Sequence, residues 1–188
     1  SDIAAALFDN WETWEEDRFT RNMWVETGER LTRESFARYR QIGGGVITFS
    51  RTEEMTRTAL KNPLMMIASD GRILNGKGHP RSSGTYAKVL GQYVREENII
   101  DLMEAMTIEP ARRLEAFVPA MRNKGRLRIG ADADITIFNA DTVIDQSTYI
   151  DPLQPSLGIE FVLVNGGIVL DNGVLEPTTR TGVAIRSN

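Results

Sequence analysis

The stretch "EFVLVNGGIVLDNGVLE" (Glu160 to Glu176) places two alternating apolar runs on either side of Asn165-Gly166. Asn-Gly readily takes the two consecutive positive φ angles of a two-residue turn whose twist matches that of paired strands, so the stretch predicts an antiparallel hairpin. Asp171-Asn172-Gly173 repeats the signal and extends the hairpin into a meander. Upstream, "GRLRIGADADITIFNADTVI" (Gly125 to Ile144) alternates at Ile135 and Ile137 around Phe138, a strand period rather than a helical one. The chain after residue 122 is therefore expected to be mainly β.

Before residue 122 the character differs. "TRESFARYRQI" (Thr32 to Ile42) puts Phe36, Tyr39 and Arg40 at helical spacing and opens with a Thr-x-x-Ser cap candidate. "GGGVITFS" (Gly43 to Ser50) reads as a buried strand behind a glycine stop. "RTEEMTRTALKN" (Arg51 to Asn62) places Met55, Thr58 and Ala59 on one helical face and ends on Asn-Pro, and "LMMIAS" (Leu64 to Ser69) reads as a second apolar strand. Strand, helix and strand in that order predict a βαβ unit, with the two strands parallel neighbours under a helical cover. "GTYAKVLGQYVREE", "IIDLMEAMT" and "EPARRLEAF" follow as three helical patterns, the last with Pro110 at a first-turn position. No internal repeat and no low-complexity tract interrupts this order.

Composition excludes several functions. The 188 residues carry 22 Lys+Arg against 26 Asp+Glu, a net charge of −4 with both signs scattered, which argues against nucleic-acid and anionic-membrane partners. There is no cysteine, so disulfides, thiolate metal sites and cysteine nucleophiles are excluded together, and a cytoplasmic location is expected. No run approaches the roughly 18 apolar residues of a membrane span. The start, "SDIAAALFDNWETWEED", lacks the basic region of an export signal. "GGGVITFS" lacks the Gly-Lys-Ser/Thr ending of a phosphate loop and precedes a strand, not a helix.

The chemistry concentrates in "LMMIASDGRILNGKGHPRSSGTY" (Leu64 to Tyr86), where an apolar run meets Asp70 and then a loop with glycines at 71, 76, 78 and 84. Parallel sheets and barrels bind ligands at the C-terminal ends of their strands, so an acid on the last strand residue faces the site. Gly71 then lets the chain leave without crowding the pocket, and the loop is long enough to arch over its mouth. Alternatively, Asp70 simply caps the turn that follows, as Asp before Gly often does.

The whole stretch resembles the amidohydrolase superfamily, and within it the N-acyl-D-amino-acid deacylases. "NPLMMIASDG" looks like the eighth barrel strand with its terminal acid, and "GHPRSSGTYAKVLGQYVREE" like the loop and helix that follow it. "MTIEPARRL" looks like the helical exit from the barrel, while "KGRLRIGADADITIFNADTVID" and "VLVNGGIVLDNGVLE" look like strands of a small β-sandwich. The resemblance implies an α/β fold: the C-terminal portion of a (β/α)8 (TIM) barrel over residues 1–122, then the C-terminal strands of a β-sandwich over residues 123–188. It covers most of residues 43–188, with residues 1–42 placed only as the region before the seventh strand.

The resemblance also implies roles. Asp70 matches the acid that contacts the catalytic metal, takes a proton from the attacking water and gives it to the leaving amine. His79 and Arg81 match the substrate loop, where an Arg suits the free carboxylate of an N-acyl amino acid by bidentate pairing. Set against this, Arg81 could order its own loop, and a lone His is more often a hydrogen-bonded loop residue than a metal ligand. Ser82 and Tyr86 either line the pocket or cap and pack the following helix.

The family's metal ligands are largely histidines on earlier strands, whereas this chain has one histidine. A closed barrel needs about 200 residues or more. The expectation is therefore the C-terminal piece of a zinc-type amidohydrolase, inactive alone, with most metal ligands and the N-terminal part of the barrel outside this chain. Strand edges left open by that gap are expected to self-associate. Two alternatives remain: a dihydroorotase- or hydantoinase-like cyclic-amide hydrolase, against which the His-Pro-Arg loop argues, and a non-catalytic assembly module built on the same fold.

Overall fold

A computed structural model describes residues 1–107 and 109–186. By internal contacts the chain falls into two compact units. The first comprises Ser1–Thr58, Ser69–Thr85 and Gln146–Pro155; the second comprises Ala59–Ala68, Tyr86–Asp145 and the chain from Ser156 onward.

In the first unit the chain forms α1 (Glu16–Thr20), β1 (Asn22–Trp24), α2 (Arg33–Ile42), β2 (Val46–Thr48) and most of α3 (Glu53–Leu60). Helix α2 begins where the sequence predicts, because the Thr32 side chain accepts the Ser35 N–H while the Ser35 hydroxyl accepts the Thr32 N–H. Its buried face carries Phe36, on which Phe8, Trp14 and Phe19 converge with ring centroids 5.9, 5.2 and 5.5 Å away. Together with Ile3, Trp24, Leu31 and Val46 these aromatics make a continuous buried cluster. Each large ring removes much apolar surface from water and gains tilted or edge contacts besides, so this cluster is the main stabilising element of the unit. Tyr39 stacks on Trp24 at 4.2 Å, and Gly44 permits it: a side chain at that glycine would meet the Trp24 ring at 2.5 Å.

Strand β2 pairs with β1, antiparallel, in the register Asn22 to Thr48, Met23 to Ile47 and Trp24 to Val46. The buried Asn22 is satisfied by the Thr48 hydroxyl, which donates to its Oδ1 at 2.7 Å, and by donation of its own Nδ2 to the Arg18 carbonyl at 2.8 Å. β3 (Ile73–Leu74) and β4 (Lys77–Gly78) follow as a small hairpin about Asn75-Gly76, whose φ angles of 50° and 75° are those of a tight turn. α4 (Arg81–Lys88) starts immediately after it.

The second unit holds the continuation of that helix over Val89–Glu96, wound as a wider π-helix, then α5 (Leu102–Ala105), α6 (Glu109–Glu115) and a sheet. Gly91 lies on the buried side of the π-helical stretch, where a Cβ would stand 2.4 Å from the Val143 carbonyl oxygen. Asp101 and Glu104 form a reciprocal cap on α5. Of the predicted segment Met106 to Leu114, Ile108 lies outside the described residues. The sheet runs β5 (Ile135–Phe138), β6 (Ile159–Val164), β7 (Gly167–Asp171), β8 (Val174–Leu175), antiparallel throughout and in sequence order. Asn165-Gly166 and Asn172-Gly173 turn it, with φ angles of 48° and 80° and of 48° and 77°. Lys124 bridges Asp132 and Asp134, and Asp134 also accepts the Asn165 N–H at 2.7 Å, so the first hairpin is tied to the segment leading into β5.

The predicted βαβ unit is corrected by the structure. Val46–Thr48 takes β1 as an antiparallel partner, and residues 64–69 form no strand; Leu64, Met65 and Met66 are 77, 57 and 44 % exposed. The cause is local. Asn62 accepts the Leu64 N–H through its side chain and the Met65 N–H through its carbonyl, and Arg113 takes the carbonyls of Pro63 and Leu64 at 2.9 and 2.8 Å. A parallel strand also needs ladder partners, and among the described residues none lies beside this run.

Candidate active-site loop

Asp70 follows the extended run without ending a strand. It sits in the left-handed region at φ 42°, a conformation Asp tolerates better than most residues. The next residue fixes where it goes. A Cβ on Gly71 would lie 2.4 Å from Cα of Ser82, so only glycine lets this backbone rest against the start of α4. That approach sets Asp70 beside Arg81. The Arg81 Nε donates to the Asp70 carbonyl at 2.9 Å and Nη2 donates to its carboxylate at 2.7 Å. The Asp70 side chain is 87 % exposed and that of Arg81 40 % exposed, so the pair is a solvated one. An ion pair of this kind contributes about 1 kcal/mol or less and exchanges partners readily.

His79 supports the same turn. Its Nδ1 accepts the Arg81 N–H at 3.1 Å and its carbonyl accepts the Ser82 N–H at 3.0 Å. The ring meets Tyr149 edge-on at 5.1 Å, and Tyr149 meets Phe49 at 4.8 Å, while the Arg30 guanidinium lies over Phe49 at 3.6 Å. Burial raises the Tyr149 hydroxyl above its ordinary pKa of 10.0, opposed by the positive charges of Arg30 and Arg81. The segment carrying Tyr149 grips the loop elsewhere too: Ser147 donates to the Pro80 carbonyl, and the Pro152 carbonyl accepts the Ser83 hydroxyl, each at 2.8 Å.

Asp70 and Arg81, singled out by sequence, are thus in direct contact, and His79 touches Arg81 rather than Asp70. Tyr86 is 60 % exposed and Ser82 packs beneath the loop with its hydroxyl buried. Tyr149, Phe49 and Arg30 were not foreseen. Tyr149 lies 70 residues after His79 in a stretch with no motif, so no sequence signal announced it. Among the described residues no group of three or more His, Asp or Glu side chains is placed to hold a metal.

No family model matches the chain. It is 39 % identical over 145 residues to an N-acyl-D-glutamate deacylase of Alcaligenes xylosoxydans xylosoxydans, covering 76 % of this chain and 28 % of that protein. It is 35 % identical over 127 residues to the N-acyl-D-aspartate deacylase of the same organism, covering 68 % and 25 %. Among solved structures, the N-acyl-D-glutamate deacylase of Bordetella bronchiseptica, complexed with zinc and a phosphonate mimic of the tetrahedral intermediate, superposes over 92 % of this chain and 39 % of that one. The TM-score is 0.73 and the identity 29 %. The chain is a homologue of the D-aminoacylases, within the amidohydrolases. A D-aminoacylase structure solved to examine its binuclear metal centre gives a TM-score of 0.67 at 26 % identity, over 87 % of this chain and 38 % of that one. The chain spans about a quarter of the length of the curated relatives it matches. Among the described residues no helix is long and apolar enough to cross a membrane.

Proposed function

We propose that this chain is the C-terminal part of a metal-dependent deacylase of N-acyl-D-amino acids: the last strands and helices of a (β/α)8 barrel over residues 1–122, and closing strands of a β-sandwich over residues 123–188. The observation that supports the reading is the Asp70–Arg81 pair: the two residues to which the family resemblance gives proton transfer and carboxylate binding lie in contact in one loop. Its solved relatives include zinc-bound and binuclear-metal enzymes. A divalent metal, when bound, would polarise the scissile carbonyl and the attacking water. The residues present here do not make such a site by themselves; Asp70 would supply one ligand, with the others outside this chain. What the chain's own residues contribute is narrower. The Asp70 carboxylate accepts a proton from water and passes it to the leaving amine, and Arg81 binds the carboxylate of the N-acyl amino acid and so orients its amide.

The test is Asp70→Asn in the longer protein that contains this chain, assayed on N-acyl-D-amino acids and on cyclic imides. The wild type is expected to hydrolyse the former, and the variant to lose on the order of 10² to 10⁴ in kcat with its fold intact. Retention of most of kcat would remove Asp70 from the chemistry, and turnover of cyclic imides alone would point to a hydantoinase-like enzyme.

A further inference from the structure

We propose that His79 is a positioning residue for Arg81: it sets the first turn of α4, from which the guanidinium is presented, and does not itself touch substrate. Its consequence for turnover rests on the deacylase reading; the structural contact does not. The first N–H groups of a helix have no partner within it and are usually capped by a Ser, Thr, Asp or Asn side chain. Here Pro80 stands before Arg81 and offers no such side chain. The imidazole does the work instead, with Nδ1 accepting the Arg81 N–H at 3.1 Å. A neutral imidazole that accepts at Nδ1 carries its proton on Nε2, and protonation of Nδ1 would turn the acceptor into a donor and break the contact.

The ring is fixed from the far side by the segment Gln146–Pro155. Tyr149 packs on it edge-on, Ser147 holds the Pro80 carbonyl, and Lys77 donates to the Ile150 carbonyl at 3.2 Å. The charges felt at Tyr149 are Arg30, Arg81 and Glu53. A capping ring clamped on both sides of its backbone and against an aromatic neighbour is placed to define where Arg81 points. Arg81 then reaches Asp70 through both its Nε and its Nη2.

His79 is the single histidine of the chain, so its imidazole nitrogens are unambiguous in ¹⁵N NMR of the 188-residue protein. Above the imidazole pKa, Nδ1 should show the shift of an unprotonated ring nitrogen, and the Arg81 amide should move with the imidazole titration. An Nδ1–H tautomer, or an Arg81 amide indifferent to the titration, would overturn the proposal. In the longer enzyme, His79→Leu should raise KM for N-acyl-D-amino acids by about three- to tenfold, as expected for one lost neutral hydrogen bond, with kcat little changed. His79→Asn, whose Oδ1 falls near the position of Nδ1, should restore most of that loss. Loss confined to kcat, or no rescue by Asn, counts against positioning. A wild-type enzyme without deacylase activity would sink the functional reading while the NMR result still decided the contact.

Discussion

Replacing Arg81 by Met in the proposed longer deacylase separates substrate recognition from loop packing. The methionine keeps most of the length and apolar stem of the arginine and removes its charge and fork. A hydrogen bond to a charged group contributes about 1.5 to 3 kcal/mol, which sets the gross loss of a substrate carboxylate contact. Arg81 does not wait empty, because in the free chain it donates to Asp70 twice, and substrate must displace a solvated pair worth about 1 kcal/mol or less. The net loss is therefore about 0.5 to 2 kcal/mol, or roughly 2- to 30-fold in kcat/KM. The assay compares each N-acyl-D-amino acid with its amide, which lacks the carboxylate. The acid should lose the full factor and the amide little, and Arg81→Lys should fall between, since it keeps charge without the fork. Equal losses for acid and amide would refute the reasoning and leave Arg81 as a loop tie only.

Three further outcomes follow from the geometry. Gly71→Ala should destabilise the loop by about 1 to 3 kcal/mol in denaturant unfolding, because the new methyl would lie 2.4 Å from the Ser82 backbone; an unchanged midpoint would show that the approach is looser. Lys124 and an N–H of Asn165 hold Asp134 below its ordinary 3.8, so its stabilising contribution is present above that pH and is lost as pH falls through the lower folded value. Asp134 and Asp132 in turn raise Lys124 above 10.5, so its contribution is present below that pH and lost as pH rises through the folded value, and Asp134→Asn should flatten the acid limb of a melting curve. The 188-residue chain alone should retain no zinc after dialysis, show no turnover, and self-associate through exposed Leu64, Met65 and Met66. Stoichiometric zinc with activity, or a monomer at high concentration, would contradict that expectation.

What the sequence made legible was set by how local the deciding forces are. The β5 to β8 meander, the α2 cap and the helix through Val89–Glu96 follow from turn residues, a Thr-x-x-Ser pair and apolar spacing, all settled within a few positions. The same Asn-Gly signal recurs at Asn75-Gly76, where the loop expected to arch over the pocket mouth forms a hairpin. The apolar run at 64–69 misled because apolarity shows that a segment would bury if it could, and burial as a parallel strand depends on neighbours a local pattern cannot supply. The aromatics of residues 1–36, carrying no motif, hold the buried hydrophobic cluster of the first unit.

At the candidate site the division is the same. Asp70, His79 and Arg81 lie within one short loop, so their residue types and spacing were visible together. Tyr149 reaches His79 only because Gln146–Pro155 folds back onto the loop through the Ser147 and Pro152 contacts, a long-range closure with no periodicity to betray it. Gly71 joins the two cases. A glycine after Asp70 reads from sequence as the start of a turn, whereas in the fold its missing side chain lets the loop settle on Ser82 and brings Asp70 within reach of Arg81. The proposed chemistry thus depends on a contact between backbones as much as on the carboxylate and the guanidinium, and a substitution at Gly71 should impair Asp70 and Arg81 together while altering neither.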